Sequence, residues 1–193
     1  MEQERLSQII KEISENENIG IKDIPDLELY MEQVTGFMDD KLKKMKRSPE
    51  DKILTKTMIN NYTKAGILMP PNKKKYNKEH IILMILVYNL KQILSLEDIK
   101  RLFAPILNDM DTTEDDLISI EEIYAVFNDL KVEEMEMVEP FIERNLNNIE
   151  EKTKNIKDKA LKNEAEMFLL VINLIAQANA LKNLSEKIID EYF

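Results

Sequence analysis

Residues 54–103 read LTKTMINNYTKAGILMPPNKKKYNKEHIILMILVYNLKQILSLEDIKRLF, and the order of signals within them points to a helix-turn-helix with a wing. Thr55 has the side chain of an N-cap for a helix from Lys56 to Lys64. In that helix Ile59 and Tyr62 fall on the inward side, while Lys56, Thr57, Asn60, Asn61 and Lys64 share the outward side. Gly66 suits the positive φ that ends a helix, Ile67 and Leu68 anchor the chain after it, and Pro70-Pro71 stiffens the exit by removing two donors. The following NKKKYN is too short and too polar to be core, which leaves a loop or a minimal two-stranded wing over 69–76. Asn77 is placed to cap a helix from Lys78 to about Leu94, with Tyr76 set to staple against Ile81. Ile81 to Val87 and Leu90 make this helix apolar on most of its circumference, so it belongs at the centre of a core. Ser95 and Asp98 have capping-box spacing for one more helix, carrying Leu96, Ile99, Leu102 and Phe103.

Upstream, residues 4–13 place Leu6, Ile9, Ile10 and Ile13 on one side of a helix. Pro25 fixes a turn, and a second helical pattern follows through Tyr30, Met31, Val34, Phe37, Met38 and Leu42. Its far end is basic, with Lys43, Lys44, Lys46 and Arg47, a pattern that the helix dipole favours and that also suits phosphate contact. Ser48 and Pro49 mark a short linker. Downstream, Pro105 and DMDTTEDD close this unit. The acidic run fails as a calcium loop, because Glu114 stands where the sharp turn needs Gly and Ile120 where the bidentate Glu belongs. A short helix through Leu117 to Phe127 follows, with Ser119 and Glu122 at capping spacing. Ile142, Leu146, Ile149, Thr153, Ile156 and Ala160 then recur at alternating four- and three-residue intervals, and Leu161, Ala165, Phe168, Leu169, Ile172, Ile175 and Ala176 continue the pattern. These stretches predict either a coiled coil between two chains or an antiparallel hairpin within one. The expected organisation is an N-terminal extension over 1–23, a winged helix-turn-helix over 24–107 and a helical module over 108–193.

The chain has 193 residues, 44% hydrophobic and 33% charged, with three Gly and no Trp, a composition rich in helix formers. The absence of Cys removes disulfides and thiolate metal sites, and is compatible with a reducing cytoplasm. The N-terminus lacks the basic flank and apolar core of a signal peptide, and the run IILMILVY falls short of the roughly 18 residues of a bilayer span, so no membrane is expected. A cytoplasmic chain is the expectation. The net charge of −10 argues against indiscriminate attraction to nucleic acid, but its distribution changes the argument. Residues 41–80 hold 12 basic and 3 acidic residues, whereas 1–40 hold 3 and 11 and 111–193 hold 9 and 20.

The stretch from Thr55 to Leu90, with the later LSLEDIKRLF, resembles the winged helix-turn-helix of MerR-type regulators. More closely, IPDLELYMEQVTGFMDD through LEDIKRLF resembles a family of proteins from low-GC Gram-positive bacteria, domain of unknown function 1836, over roughly residues 24–107. The MerR-type pattern implies an all-α, winged fold that binds double-stranded DNA. Along it, Thr55 is the cap, Met58 and Ile59 occupy the Thr-Leu positions, Tyr62 is the buried Tyr, Gly66-Ile67-Leu68 match Gly-Leu-Leu, Pro70 and Pro71 the wing entry, and Lys75-Tyr76 the Arg-Tyr pair. Asn60 stands where the phosphate-binding Arg is usual.

The expected function is therefore a DNA-binding transcriptional regulator of MerR-like type, without catalysis or cofactor. The alternative is a non-catalytic protein-interaction module that uses the same scaffold to hold an acidic partner. Lys56, Thr57, Asn60, Asn61 and Lys64 form the groove-facing set, Lys73, Lys74 and Lys75 reach the backbone from the wing, and Lys43, Lys44, Lys46 and Arg47 add outer phosphate contacts. The C-terminal helices are expected to make a homodimer, and no effector signature is legible. The single His80 begins an apolar helix, where a capping or surface role fits better than acid-base work, and there is no phosphate loop and no metal-ligand motif.

Overall fold

Local capping chemistry sets most of the helix starts. Thr55 Oγ1 accepts the Met58 N–H at 3.2 Å and opens one helix. Asn77 Oδ1 accepts the His80 N–H at 3.1 Å and opens another. Ser95 with Asp98, and Ser119 with Glu122, make reciprocal boxes in which the serine hydroxyl takes an N–H and the carboxylate reaches back to the serine amide. In the computed structural model, which describes residues 2–14, 19–109 and 119–193, these caps belong to a predominantly α-helical chain with a minor two-stranded sheet. The helices are α1 (Glu2–Ser14), α2 (Met31–Leu42), α3 (Lys56–Ala65), α4 (Lys78–Leu90), α5 (Leu96–Asp109), α6 (Ile120–Thr153) and α7 (Lys159–Tyr192). The strands are β1 (Leu29–Tyr30) and β2 (Lys75–Tyr76). Of the acidic run that fails as a calcium loop, residues 110–118 lie outside the described residues.

The first core surrounds α4, whose residues from His80 to Tyr88 are all buried. Val34 and Met38 of α2, Ile59 and Tyr62 of α3, and Ile99 and Phe103 of α5 pack around it. The core also takes in Ile19 and Ile24 ahead of β1, and Ile120 and Tyr124 at the start of α6. Tyr124 Oη and Asn128 Nδ2 both donate to the carbonyl of Ile19, at 2.6 and 3.1 Å, so the chain ahead of β1 is tied to α6 by two buried hydrogen bonds. Lys91 Nζ donates to the Ile53 carbonyl at 3.1 Å and holds the connection between α2 and α3 against the end of α4.

The structure departs from the sequence expectations at several points. β2 pairs antiparallel with β1, Leu29 opposite Tyr76 and Tyr30 opposite Lys75, rather than with the segment from 69. Pro70 and Pro71 have no N–H to give to a ladder, and β1 supplies the partner that they cannot. What remains of a wing is a tight turn closed by an Asn72–Lys75 bridge. α5 runs through Pro105 instead of ending at it. The short helix expected to end at Phe127 is the first part of α6, which continues for 34 residues through Pro140. Pro140 is exposed, so the Glu136 carbonyl that loses its helical donor faces water.

α6 begins in the first core and is about 50 Å long at ~1.5 Å per residue, and α7 returns alongside it. A second, smaller core forms from Ile142, Leu146 and Ile149 of α6 with Leu170 of α7, and Leu6 and Ile10 of α1 pack against it. The expected seam stops at Thr153, because the helix ends there: Ile156 sits in the turn and Ala160 is exposed. Asp158 caps α7 by accepting the Leu161 N–H at 3.0 Å. Thr153 Oγ1 donates to the buried Glu166 carboxylate at 2.6 Å and pins the base of the hairpin. At the other end Arg101 of α5 holds α7, pairing with Asp190 at 2.7 Å and donating to the Ile189 carbonyl at 3.1 Å. By length and composition alone, α7 is long and apolar enough to cross a membrane.

Candidate functional site

α3 is amphipathic in the sense its sequence predicts. Ile59 and Tyr62 are buried, and Lys56, Thr57, Asn60, Asn61 and Lys64 are exposed. The polar face is therefore a continuous strip about three turns long, with two side-chain amides at its middle and a lysine at each end. Gly66 ends the helix at φ 73°, and the amides of Ile67 and Leu68 both donate to the Tyr62 carbonyl. This closure sends the chain toward the proline turn and β2.

The turn before β2 carries the unusual backbone of the molecule. Lys73 and Lys74 hold φ of 49° and 66°, and they are the non-glycine residues at positive φ among those described. The Lys75 amide donates to the Asn72 carbonyl at 2.9 Å, so the two lysines are the central pair of a tight turn of type I′ pattern. Side chains crowd their own carbonyls in that region, which is why such turns favour Asn and Gly. Here both positions carry exposed cations instead.

Two ion pairs relate the turn to α3. Lys75 approaches Glu28 at 3.4 Å and lies 5.7 Å over the Tyr30 ring, while Lys56 pairs with Glu32 at 2.5 Å. Glu28 and Glu32 flank the short β1 and the first turn of α2, so the start of α3 and the lysine turn border the same corner. The Lys56 hydrogen bond holds the Glu32 carboxyl below the usual carboxylate range. At the other end of α2, Lys43 pairs with Asp40 at 2.8 Å and Lys46 with Asp39 at 2.7 Å. The Lys43 hydrogen bond lowers the Asp40 pKa, and Asp40 in turn raises that of Lys43.

Thus Lys43, Lys46, Lys56 and Lys75 are ion-paired, and Lys44, Arg47, Lys64, Lys73 and Lys74 make no ion pair among the described residues. The sequence reading missed the acidic partners because Glu28, Glu32, Asp39 and Asp40 lie in the preceding acidic block. The closeness of Asp39 and Asp40 to Lys43 and Lys46 in sequence was the available signal; Glu28 and Glu32 meet their lysines only through packing. Water screens pairs of this kind at the surface and leaves them weak, so a phosphate or carboxylate ligand can exchange with them at little cost. Arg47 and Ser48 instead donate their backbone amides to Asp51, at 3.1 and 2.9 Å, which shapes the loop between α2 and α3. That connection, residues 43–55, opens with a 3-10 turn over Lys43–Met45 and is longer than the roughly three- to four-residue turn of a simple helix-turn-helix.

His80 is buried and structural. Its Nδ1 accepts the Asn77 N–H at 3.3 Å, its Nε2 lies 3.4 Å from the Pro70 carbonyl, and Tyr76 meets the ring edge-on at 5.5 Å. Burial lowers its pKa, which suits a neutral ring donating from Nε2. Among the described residues no group of three or more His, Asp or Glu is placed to hold a metal ion. Two grooves lie away from the basic face: one of about 690 Å³ between α1 and α6, and one of about 620 Å³ between α6 and α7.

Residues 19–127 match the family described as domain of unknown function (DUF1836). The match has nearly the limits of the first core, which runs from Ile19 to Tyr124 with Phe127 packed on it. No curated protein and no solved structure matches the chain.

Proposed function

Taking as premise that the chain belongs to the DUF1836 family, we propose that it binds double-stranded DNA as a transcriptional regulator of MerR-like, winged helix-turn-helix type, acting in the cytoplasm without catalysis. The observation that carries this reading is the exposed face of α3 beside a positive-φ turn built from lysines. On a chain of net charge −10, a basic strip with two amides at its centre matches the division of labour in DNA recognition. Lysines set position on phosphates, and Asn makes a two-bond contact with adenine in the major groove. Asn60 or Asn61 fills the second role, and Lys56, Lys64 and Lys73 to Lys75 the first. Lys43, Lys44, Lys46 and Arg47 extend the phosphate contacts outward. Asn60, in place of an arginine, shifts the weight of phosphate binding from the helix to the turn.

Selection of purified full-length protein against a random duplex pool tests the reading. Enrichment of a defined motif is expected, with binding that weakens steeply as salt rises. A pool with no enrichment ends it.

The second reading, a protein-interaction module, draws on a specific observation: Lys43, Lys46, Lys56 and Lys75 are already matched by carboxylates from the chain itself. A face that holds its own acidic residues has the chemistry to exchange them for those of an acidic protein. Failure of the DNA selection together with copurification of an acidic protein, abolished on reversal of Lys73 and Lys74 to Glu, favours this reading.

A further inference from the structure

α7 is apolar on two sides, and only one of them meets the rest of the chain. Toward α6 it presents Met167, Leu170, Leu174 and Leu181, with buried Glu166 and half-buried Gln177 beside them. The heptad-spaced row Leu161, Ala165, Phe168, Ile172, Ile175 lies on the opposite side, with the next seam position occupied by Asn179. Phe168 is 64% exposed, Ile175 55% and Ile172 47%. A helix that packs one apolar stripe on its own chain and leaves a second in solvent has an unmet packing demand.

We propose that this outward face of α7 is covered by the same face of a second copy of the chain, making a homodimer through a seam between Leu161 and Asn179. Three observations select a second copy. The first is periodicity: intervals of four and three residues sustained over the row are what pairwise helix packing needs, and a bilayer imposes no such period. The second is area. Leu161, Phe168, Leu169, Val171, Ile172 and Ile175, at the exposures they show, present on the order of 600 Å² of apolar surface, near the ~800 Å² per partner of a standard stable interface. Monomers rarely leave more than a few hundred Å² contiguous. The third is polarity within the apolar segment. Asn173, Gln177 and Asn179 would each enter hydrocarbon if α7 crossed a membrane, and the Arg101 contacts to Ile189 and Asp190 hold its far end on α5. An Asn at one seam position is also a recognised way of fixing register between paired helices. The seam lies on α7, because Ile142, Leu146 and Ile149 of α6 are already used within the chain. The dimer stands whether or not the chain binds DNA.

Sedimentation equilibrium of the full-length chain at tens of micromolar tests it. The expected mass is twice the 22.7 kDa of the chain. Phe168→Glu with Ile172→Glu is expected to return it to 22.7 kDa with unchanged helical circular dichroism, since both side chains are exposed in the single chain. Leu27→Glu, an exposed site on the other unit, leaves the dimer intact. If the double Glu variant loses helicity, Phe168→Ser with Ile172→Ser asks the same question with less perturbation. A wild-type chain that remains at 22.7 kDa overturns the proposal, as does a folded double variant that remains dimeric. Co-sedimentation of the wild type with phosphatidylcholine–phosphatidylglycerol vesicles, with a monomer in detergent, overturns it in favour of a membrane.

Discussion

Replacing Lys73 and Lys74 together by Asn and Gly separates the energy of the turn from its charge. At φ of 49° and 66° both lysines lie where an L side chain costs roughly 1–2 kcal/mol by crowding its carbonyl. Glycine at 74 removes that cost but enlarges the unfolded ensemble, giving back about 0.5–1 kcal/mol. Asparagine at 73 tolerates the left-handed region better than lysine, so relief there is partial. The net expectation is a gain of about 1 kcal/mol, worth roughly 2–4 °C in Tm for a chain of this length. Both side chains are exposed and neither makes an ion pair among the described residues, so little packing is sacrificed to offset the gain.

The same substitution removes two positive charges from the proposed DNA surface. For every phosphate that the variant no longer neutralises, the slope of log K against log salt is expected to fall by about 0.9. A more stable protein that binds its selected duplex more weakly is thus the predicted phenotype. Urea unfolding followed by circular dichroism reads the first quantity, and fluorescence anisotropy over a salt series the second. A destabilised variant would falsify the argument from backbone strain. Raised stability with unchanged affinity and slope refutes the assignment of this turn to the DNA surface.

Asn60→Ala or Asn61→Ala is expected to erode discrimination at one base pair by roughly 1–3 kcal/mol, leaving the salt slope unchanged; a uniform weakening over all sequences contradicts direct readout. His80→Gln retains a side chain able to complete the helix-start box while removing the titrating ring. Burial puts the folded-state pKa of His80 below 6.5, so the unfolded chain takes up the proton first, and the contribution to stability is complete above 6.5 and lost as pH falls through that value. Urea midpoints between neutral pH and pH 5 should therefore fall more for the wild type than for His80→Gln, and parallel curves contradict the buried, neutral ring. Thr153→Val deletes the 2.6 Å hydrogen bond to buried Glu166 and is expected to cost about 1.5–3 kcal/mol in urea unfolding; a change below about 0.5 kcal/mol means the bond does not hold the hairpin.

What the sequence reveals about this fold is what is encoded within a few residues. Thr55, Asn77, Ser95 and Ser119 cap helices because the groups they satisfy lie two or three residues on, and Gly66 closes α3 for an equally local reason. The unbroken apolar run of α4 identifies the centre of the core without any partner being known. The strand pair is different. Nothing near Lys75-Tyr76 names Leu29-Tyr30 as its partner, and the prolines exclude the nearer choice only once the backbone donors are considered. α6 likewise runs on where two helices are expected, with Asn128 tied to the Ile19 carbonyl more than a hundred residues away.

The candidate site divides along the same line. Periodicity alone places Lys56, Thr57, Asn60, Asn61 and Lys64 together, because a helix face is a local property. The carboxylates that meet Lys56 and Lys75 are not legible, since Glu32 reaches Lys56 only after α2 has packed beside α3, and Glu28 reaches Lys75 only once β1 pairs with β2. On α7 the apolar spacing is evident from residue types, but its direction is not. A seam read from sequence has two possible destinations, the same chain or another. Only the placement of Glu166 and Leu170 against α6 shows that the row through Phe168, Ile172 and Ile175 points away. Pairing of the hairpin therefore uses only one of the two apolar sides of α7, and fully buries little there beyond Glu166 and Leu170, with Met167 packed beside them. The stability of this half of the molecule should consequently depend on protein concentration, whereas that of the first core, closed around α4, should not.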